Sequence, residues 1–399
     1  MKTGRSRAGA FLLLISLTAV AAGPQEALAG EGEAGWGGVR MPVDSVGYAI
    51  YPYQVEAVVR AAERLISAGP DRSGEPAMSP MIGGICPHDD YIYAGPAYVK
   101  LLSNIDVPLV VLVGVSHGAR RIGVQGGLVF GSFRAWKGPW GDVPVSALRE
   151  ELQALLPPES FMIDDGLQAG EHSLEGLIPF IQYYRSGRGK AGTDPPEGAG
   201  RAAEDGPDIG GGSTLEILPV LTTRMAGESF DTNARAFADA MHEVMEKRGM
   251  RLGRDYAVVI SADCVHYGDD QWGGRDYSPY GTGGEGYEAA VAEEKEIVGE
   301  TLVGRVDGVK IKAFRDRIDS YEFEWPYKIP WCGVYSIPFG LSILERLCAL
   351  EGREPPVGRM LDYSTSLDPG ALDVGETGLG ATNIATLRHW VGYTAVGYW

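Results

Sequence analysis

The chain has 399 residues, which is enough for one large α/β domain or two smaller ones with a substantial core. Its formal net charge of −18 argues against a surface that binds nucleic acid or anionic membranes, because such surfaces need clustered Lys and Arg. The four cysteines lie in apolar segments of a chain too large to need disulfide staples, which favours buried thiols or a metal ligand.

The N-terminal residues have the pattern of an export signal. A positively charged start precedes an apolar run over residues 8–22, which is too short to span a membrane comfortably. Ala27-Leu28-Ala29 then matches the small-residue pattern before a cleavage site. The sequence therefore predicts a signal peptide over residues 1–29 and an exported protein, periplasmic or extracellular, with a retained N-terminal anchor as the alternative. No second long apolar run follows, so we expect no membrane span in the mature chain.

The rest of the chain is predicted to form one folded domain. Residues 30–45 are rich in Gly and are predicted to be flexible, and the domain follows over residues 46–399. Two further stretches rich in Gly, residues 186–213 and 269–286, are predicted to be surface insertions rather than domain boundaries.

Helical and strand patterns alternate along this domain. Apolar positions at helical spacing predict helices over residues 53–68, 96–103, 146–156, 229–248, 287–303, 310–320 and 337–351. Apolar runs predict strands just before His88 and His117 and over residues 124–133, 141–145, 215–221, 255–261, 359–366 and 389–398. This alternation favours a three-layer α/β/α sandwich. The late strands need not be parallel to the others, so we expect a mixed, mostly parallel sheet.

The clearest chemical signal is a pair of histidines directly after two buried strands. His88 and His117 each follow a short apolar run, and the carboxyl ends of strands are where an open α/β sheet gathers ligands and catalytic groups. His172 and His266 also lie in short motifs flanked by Gly or acidic residues. Taken singly, each histidine is more often a hydrogen-bonded structural group than a ligand. Their shared placement favours a metal site.

Five short motifs resemble those of the Memo family, whose bacterial and archaeal members are called AmmeMemoRadiSam system protein B. Residues 87–95 (PHDDYIYAG) resemble the family's PHAGYxYSG, and residues 114–118 (GVSHG) resemble its GPSHH. Residues 171–175 (EHSLE) match EHSIE, and residues 261–268 (SADCVHYG) are similar to SSDFCHWG or SSDLSHYG. Residues 332–340, which begin with Cys-Gly, resemble CGxxPIG. The motifs come in the family order and cover about residues 45–399.

The resemblance implies a fold similar to class III extradiol dioxygenases of the LigB type. Those enzymes hold non-haem Fe(II) with two histidines and one carboxylate, whereas the Memo family has two histidines and one cysteine at the corresponding site. The resemblance therefore implies His88, His117 and Cys332 as the metal ligands of this chain. Imidazole and thiolate donors form a soft-to-borderline site, so the expected cofactor is one transition-metal ion, Fe(II) first, with copper or zinc as alternatives.

Three further residues are implied to surround the metal. His266 corresponds to the acid/base histidine of the dioxygenases, and its ordinary pKa suits a general base. Asp263 is placed to orient an imidazole, and His172 is expected to be a polar wall of the same cleft.

The chain departs from the family motifs beside the first histidine. Asp89 and Asp90 replace Ala-Gly; one of these carboxylates could reach the metal, but solvated loop acids are the favoured interpretation because Asp is usually exposed. The alternative to a metal-ligand role for Cys332 is that of a buried structural thiol. A Cys332–Cys348 bridge is disfavoured by the predicted helix between them, and a Cys86–Cys264 disulfide stays open.

Three functions follow as hypotheses. The first is an exported non-haem metal-dependent oxidoreductase of the dioxygenase type. The second is a metal-binding protein without turnover that holds copper or iron, and the third is a peptide-binding protein that reuses the cleft. The expected partner is an unidentified small molecule or peptide, with no nucleic acid and no membrane span.

Overall fold

The computed structural model describes residues 38–68, 80–187, 215–225, 227–269, 276–320 and 327–399. The predicted signal peptide, residues 1–29, lies outside these ranges, as do residues 188–213 of the first predicted insertion. The second predicted insertion is described apart from residues 270–275, and its last part is helical because a helix begins at Gly284.

Most described helices lie within a few residues of their predicted positions. Their bounds are α1 Pro52–Ser67, α2 Tyr91–Leu102, α3 His117–Arg121, α4 Leu148–Leu155, α5 Asp165–Ala169, α6 Ile178–Arg185, α7 Glu228–Lys247, α8 Gly284–Thr301, α9 Gly308–Ile318 and α10 Ser336–Leu350. Helix α2 begins well before the predicted start at Pro96. Proline lacks the N–H that would bond to the carbonyl of Ile92, and the backbone N–H of Leu372 donates to that carbonyl instead, at 2.7 Å. A distant segment thus makes Pro96 tolerable inside the helix.

The strands form one large sheet and one small sheet. Their bounds are β1 Val39–Arg40, β2 Gly83–Cys86, β3 Leu109–Val115, β4 Leu128–Phe130, β5 Ala135–Gly138, β6 Gly141–Pro144, β7 Phe161–Ile163, β8 Glu216–Thr222, β9 Tyr256–Ser261, β10 His266–Gly268, β11 Gly304–Arg305, β12 Val357–Thr365 and β13 His389–Tyr398. The large sheet has the order β11-β12-β13-β2-β9-β3-β8-β4-β7, with β10 paired to β13, and the small sheet has the order β1-β5-β6. Strands β2, β9, β3 and β8 are parallel neighbours, whereas β12 and β13 run antiparallel. The predicted mixed sheet is confirmed.

Helices cover both faces of the large sheet, which gives the three layers that the sequence predicts. Along β3, Val111 and Val113 pack into the core that includes side chains of α7 and α10. The alternating residues Val110 and Leu112 pack into the opposite core, with side chains of α1, α2 and α6. Because successive side chains of a strand point to opposite faces, a continuous apolar strand indicates burial on both sides.

The order of the central strands determines where the polar residues meet. Strands β2, β9 and β3 are adjacent and parallel, so their carboxyl ends lie at one edge of the sheet. His88 follows β2, Asp263 follows β9 and His117 follows β3. The topology therefore brings three segments that are distant in sequence to one cleft.

Part of the N-terminal segment predicted to be flexible is held against the domain. Strand β1 pairs with β5, and the guanidinium of Arg40 donates to the Glu175 carboxylate and to the Glu171 carbonyl. Arg40 also lies 4.4 Å from the ring centroid of Trp136. Among the described helices, none is both long and apolar enough to cross a membrane.

Candidate metal centre

His88 is the most buried histidine at the edge of the sheet, with 2% of its surface exposed. Its Nδ1 lies 2.9 Å from Ser261 Oγ, and the Ser261 hydroxyl donates its one hydrogen to the carbonyl of Ser173. The Ser261 oxygen must therefore accept from Nδ1–H. On this basis we assign His88 the tautomer with its hydrogen on Nδ1. Nε2 then carries the lone pair that can bind a metal.

The Nε2 atom of His88 has the environment of a metal ligand. It is buried and has no hydrogen-bond partner among the described residues. The nearest carboxylate oxygen, Asp263 Oδ2, lies 3.4 Å away but outside hydrogen-bond geometry. A buried acceptor without a partner is costly, and a metal ion would satisfy it. The orphaned nitrogen therefore fits the metal that the motifs imply.

His117 is oriented by a buried carboxylate. Its Nδ1 lies 2.8 Å from Glu171 Oε1, and its backbone N–H donates to Glu171 Oε2 at 2.6 Å. Burial alone would raise the pKa of Glu171, but His117 outweighs it and lowers that pKa to about 2. A carboxylate that accepts from Nδ1–H is the usual partner of a metal-binding histidine, since it leaves Nε2 free to bind.

His172 stacks on His117, with ring centroids 4.8 Å apart. Its ring centroid is 5.6 Å from that of His88, and its side chain is 44% exposed. Burial and then the neighbouring His117 lower the pKa of His172 to about 4, so its ring is neutral near pH 7. His88, His117 and His172 each offer a ligand atom within 4.8 Å of the others.

A second group of ligand atoms shares His88. His88, Asp263 and Cys332 also offer atoms within 4.8 Å of one another, and Asp263 Oδ1 accepts from the His88 backbone N–H at 2.8 Å. Burial, and then the neighbouring Asp89, raise the pKa of Asp263 well above its ordinary value. A Cβ at Gly333 would overlap the Cβ of Ala262, so glycine lets the turn at Cys332 pack against the end of β9.

The Cys332 thiol contacts the ring of His266. Cys332 Sγ lies 3.1 Å from His266 Nε2, whereas Asp263 Oδ2 lies 3.9 Å from that nitrogen. Burial and then His117 lower the pKa of His266 to about 3, so its ring is neutral. Burial and nearby carboxylates raise the pKa of Cys332. The general-base role of His266 stays a prediction.

All six residues singled out from the sequence lie at this edge, and five of them, all but His266, form two candidate ligand groups. One group has three histidines, and the other has one histidine, one carboxylate and one thiol. The sequence-predicted ligand set of His88, His117 and Cys332 takes members from both groups, and it stays a prediction. His172, expected to be a wall of the cleft, is an alternative third ligand.

The interpretation of Asp89 and Asp90 as solvated loop acids is wrong. Asp90 is 3% exposed, and its Oδ2 accepts from the Thr382 backbone N–H at 2.7 Å. Asp89 Oδ2 accepts from the Tyr393 hydroxyl at 2.6 Å. Both carboxylates are thus held by residues near the C-terminus, which no local pattern indicates. Burial, and then Asp89, raise the pKa of Asp90 to about 7.

The sequence reasoning missed the residues that orient the two histidines. Ser261 and Glu171 are the first residues of two of the motifs, but their roles depend on long-range pairing. Ser261 reaches His88 because β9 pairs in register with β2, where Cys86 is opposite Ser261. Their positions inside the motifs could have indicated this role, because a carboxylate or hydroxyl next to candidate ligands commonly orients them.

Glu294 was also missed, and it connects the segments that carry Cys332 and His266. It lies on α8 with 2% of its surface exposed. Its Oε1 accepts from the Trp331 indole N–H at 2.7 Å, and its Oε2 accepts from the Val265 backbone N–H at 2.9 Å. Burial raises the pKa of Glu294 to about 8.

We expect Glu294 to make the stability of the protein depend on pH. The pKa of Glu294 is higher in the folded state than its ordinary value, so the folded state favours the protonated carboxyl. The contribution of Glu294 to stability is therefore full below about pH 4 and is lost as pH rises towards 8. The free energy of unfolding falls by at most about 1.4 kcal/mol per pH unit from this group. Urea unfolding of chelator-treated protein from pH 5 to 8 should show the wild type losing stability relative to Glu294→Gln. Glu296→Gln, at a side chain that is 55% exposed, is the control. Equal pH slopes for the wild type and Glu294→Gln would contradict the expectation.

The chain is similar to proteins of one family. The family model described as Memo-like protein matches residues 45–373. Over 191 residues the chain is 29% identical to a MEMO1 family protein of Methanothermobacter thermautotrophicus, covering 46% of this chain and 54% of that protein. It is 26% identical over 239 residues to one of Ignicoccus hospitalis, covering 57% and 69%. A relative from Pyrobaculum aerophilum is 26% identical over 192 residues, covering 47% and 53%. The match thus spans about half the length of the first and third relatives.

Proposed function

The chain belongs to the Memo-like family, and we propose that it binds one transition-metal ion in the cleft at the carboxyl edge of the sheet. The observation that carries the proposal is the buried Nε2 of His88, which has no hydrogen-bond partner among the described residues and belongs to both ligand groups. Imidazole, carboxylate and thiol donors suit Fe(II) first, with copper or zinc as alternatives.

We further propose that the site supports an O₂-dependent oxidation of a small molecule. A bound ion would supply an open coordination position for O₂ or a substrate oxygen. The chain's own part is to hold its donor atoms in position: the Nδ1 atoms of His88 and His117 bond to Ser261 and Glu171, which directs each Nε2 towards the cleft, and His266 is the proposed proton acceptor. Asp263 holds the backbone of His88 in place.

The test is O₂ consumption by metal-reconstituted protein with a panel of catechols. We expect uptake that depends on the loaded metal and falls to background in His88→Ala. His242→Ala is the matched control, because His242 lies on α7, away from this edge of the sheet. Tight metal binding with no O₂ uptake in the presence of any catechol would contradict the proposed oxidation but not the proposed metal binding.

The second candidate is metal binding without turnover. It is favoured by the number of donors at this edge: three histidines offer ligand atoms within 4.8 Å of one another, and His88 shares a second such group with Asp263 and Cys332. A coordination sphere filled by protein donors leaves no position for substrate. The thiol would bias such a site towards Cu(I). The catechol experiment separates this function from the first.

A further inference from the structure

Two cysteines lie opposite each other beside the cleft. Val265 forms an antiparallel bridge with Trp331, and the His266 backbone N–H donates to the Pro330 carbonyl at 3.0 Å. In this register the next position places Cys264 opposite Cys332, at the point where the pairing ends and Cys332 begins a 3-10 helix. Directly opposed residues of an antiparallel pair have Cβ atoms about 4.5–5.5 Å apart, close to the roughly 3.5–4.5 Å found across disulfides.

We propose that Cys264 and Cys332 form a reversible disulfide, and that this oxidation removes the thiol from the metal cleft. Both cysteines are free thiols in the structure. The disulfide itself is independent of the proposed function. Its effect on metal binding rests on the proposed metal site and on Cys332 being one of its ligands. The cleft would then have a reduced form with a thiol donor and an oxidised form without one.

The other two cysteines are poorly placed to compete. Cys86 packs in the core on the opposite face of the sheet from Cys264, which disfavours the Cys86–Cys264 pairing left open by the sequence. Cys348 lies on α10 and is 1% exposed. Cys332 is partly exposed, so an oxidant can reach it, and Cys264 is buried directly across from it.

Hydrogen peroxide is the oxidant of the proposed reaction. The Cys332 sulfur attacks one peroxide oxygen, the O–O bond breaks, and the sulfur becomes a sulfenic acid while the other oxygen leaves as water with the thiol proton. His266 Nε2, at 3.1 Å from Sγ, can pass that proton on. The Cys264 sulfur then attacks the sulfenic sulfur, forms the S–S bond and releases a second water. Two thiols lose two electrons and one hydrogen peroxide becomes two waters.

The experiment uses the full chain after chelator treatment. Excess hydrogen peroxide is applied over hours, because burial and the nearby Asp263 raise the pKa of Cys332 and slow its attack. Free thiols are then alkylated and the disulfides are mapped by non-reducing peptide mass spectrometry. We expect a 264–332 linked peptide in the wild type and in Cys348→Ser, and none in Cys264→Ser or Cys264→Ala.

Zn²⁺ binding provides the second measurement, because zinc is not itself oxidised. We expect oxidation to weaken Zn²⁺ binding at least about 10-fold, and a thiol reductant to restore it. A wild-type map without the 264–332 peptide overturns the proposal, whether the thiols stay free or Cys264 pairs elsewhere. If the linked peptide forms but reduced protein binds no Zn²⁺, the disulfide stands and the proposed metal site fails.

Discussion

Replacing His88 with alanine is expected to weaken metal binding by more than about 100-fold, because loss of even an outer partner of a metal ligand costs about 10–100-fold. His88 is the one residue that both ligand groups share, and its Nε2 is the buried nitrogen without a hydrogen-bond partner among the described residues. Elemental analysis and competition titration of protein purified without chelators measure the effect. His242→Ala should retain wild-type metal content.

Three further variants, His172→Ala, Cys332→Ser and His117→Ala, decide which ligand set binds the ion. If the three histidines form the site, His172→Ala will lose metal and Cys332→Ser will retain it. If His88, Asp263 and Cys332 form the site, Cys332→Ser will lose metal and His172→Ala will retain it. The set implied by the family motifs predicts loss in Cys332→Ser and in His117→Ala. Unchanged metal content in His88→Ala would contradict every one of these arrangements.

Replacing Arg40 with alanine is expected to destabilise the fold by about 3–5 kcal/mol, because it leaves the buried charge of Glu175 unpaired. The two side chains are 1% and 4% exposed. Arg40 also donates to the carbonyls of Gln168 and Glu171 and lies over Trp136, so its loss removes several contacts together. The free energy of unfolding in urea, compared with the wild type, measures the effect.

Two variants control the Arg40 measurement. Arg60→Ala should cost at most about 1 kcal/mol, because the side chain of Arg60 is 54% exposed and its pairing with Glu56 is long, at 3.9 Å. The double variant Arg40→Met with Glu175→Leu should recover part of the lost stability, since it removes both buried charges. A loss below about 1 kcal/mol in Arg40→Ala would show that the buried pair is not needed for stability.

The sequence predicts the architecture well where the signal is local. Apolar runs such as that of β3 indicate strands buried on both faces, and helical spacing locates helices such as α7 closely. The start of α2 could not be predicted, because it depends on Leu372 donating to a carbonyl left free by Pro96. The half-buried Asp89 and the buried Asp90 were missed for the same kind of reason: their partners, Tyr393 and Thr382, lie about 300 residues away in the sequence.

The location of the site could be predicted, but its internal arrangement could not. Histidines that follow parallel strands of one sheet lie at the same edge, as His88 after β2 and His117 after β3 do on either side of β9, and the motifs supplied Cys332. The division into two ligand groups depends on side-chain positions that spacing does not determine. Glu294 gave no signal at all, because a glutamate within a helix is ordinarily solvent-exposed and only the fold brings Trp331 and Val265 to it.

The position of strand β13 sets the order in which the cleft can be completed during synthesis. Strand β2, which precedes His88, lies between β9 and β13, so its neighbours in the sheet are made long after it leaves the ribosome. Until residues 389–398 emerge, one edge of β2 has no partner strand, and Asp89 lacks the hydroxyl of Tyr393. Pairing between strands so distant in sequence is slow and exposes unpaired edges while it is incomplete. A nascent chain can therefore assemble this cleft only after residues 389–398 have been translated, and the proposed metal could bind only after that step.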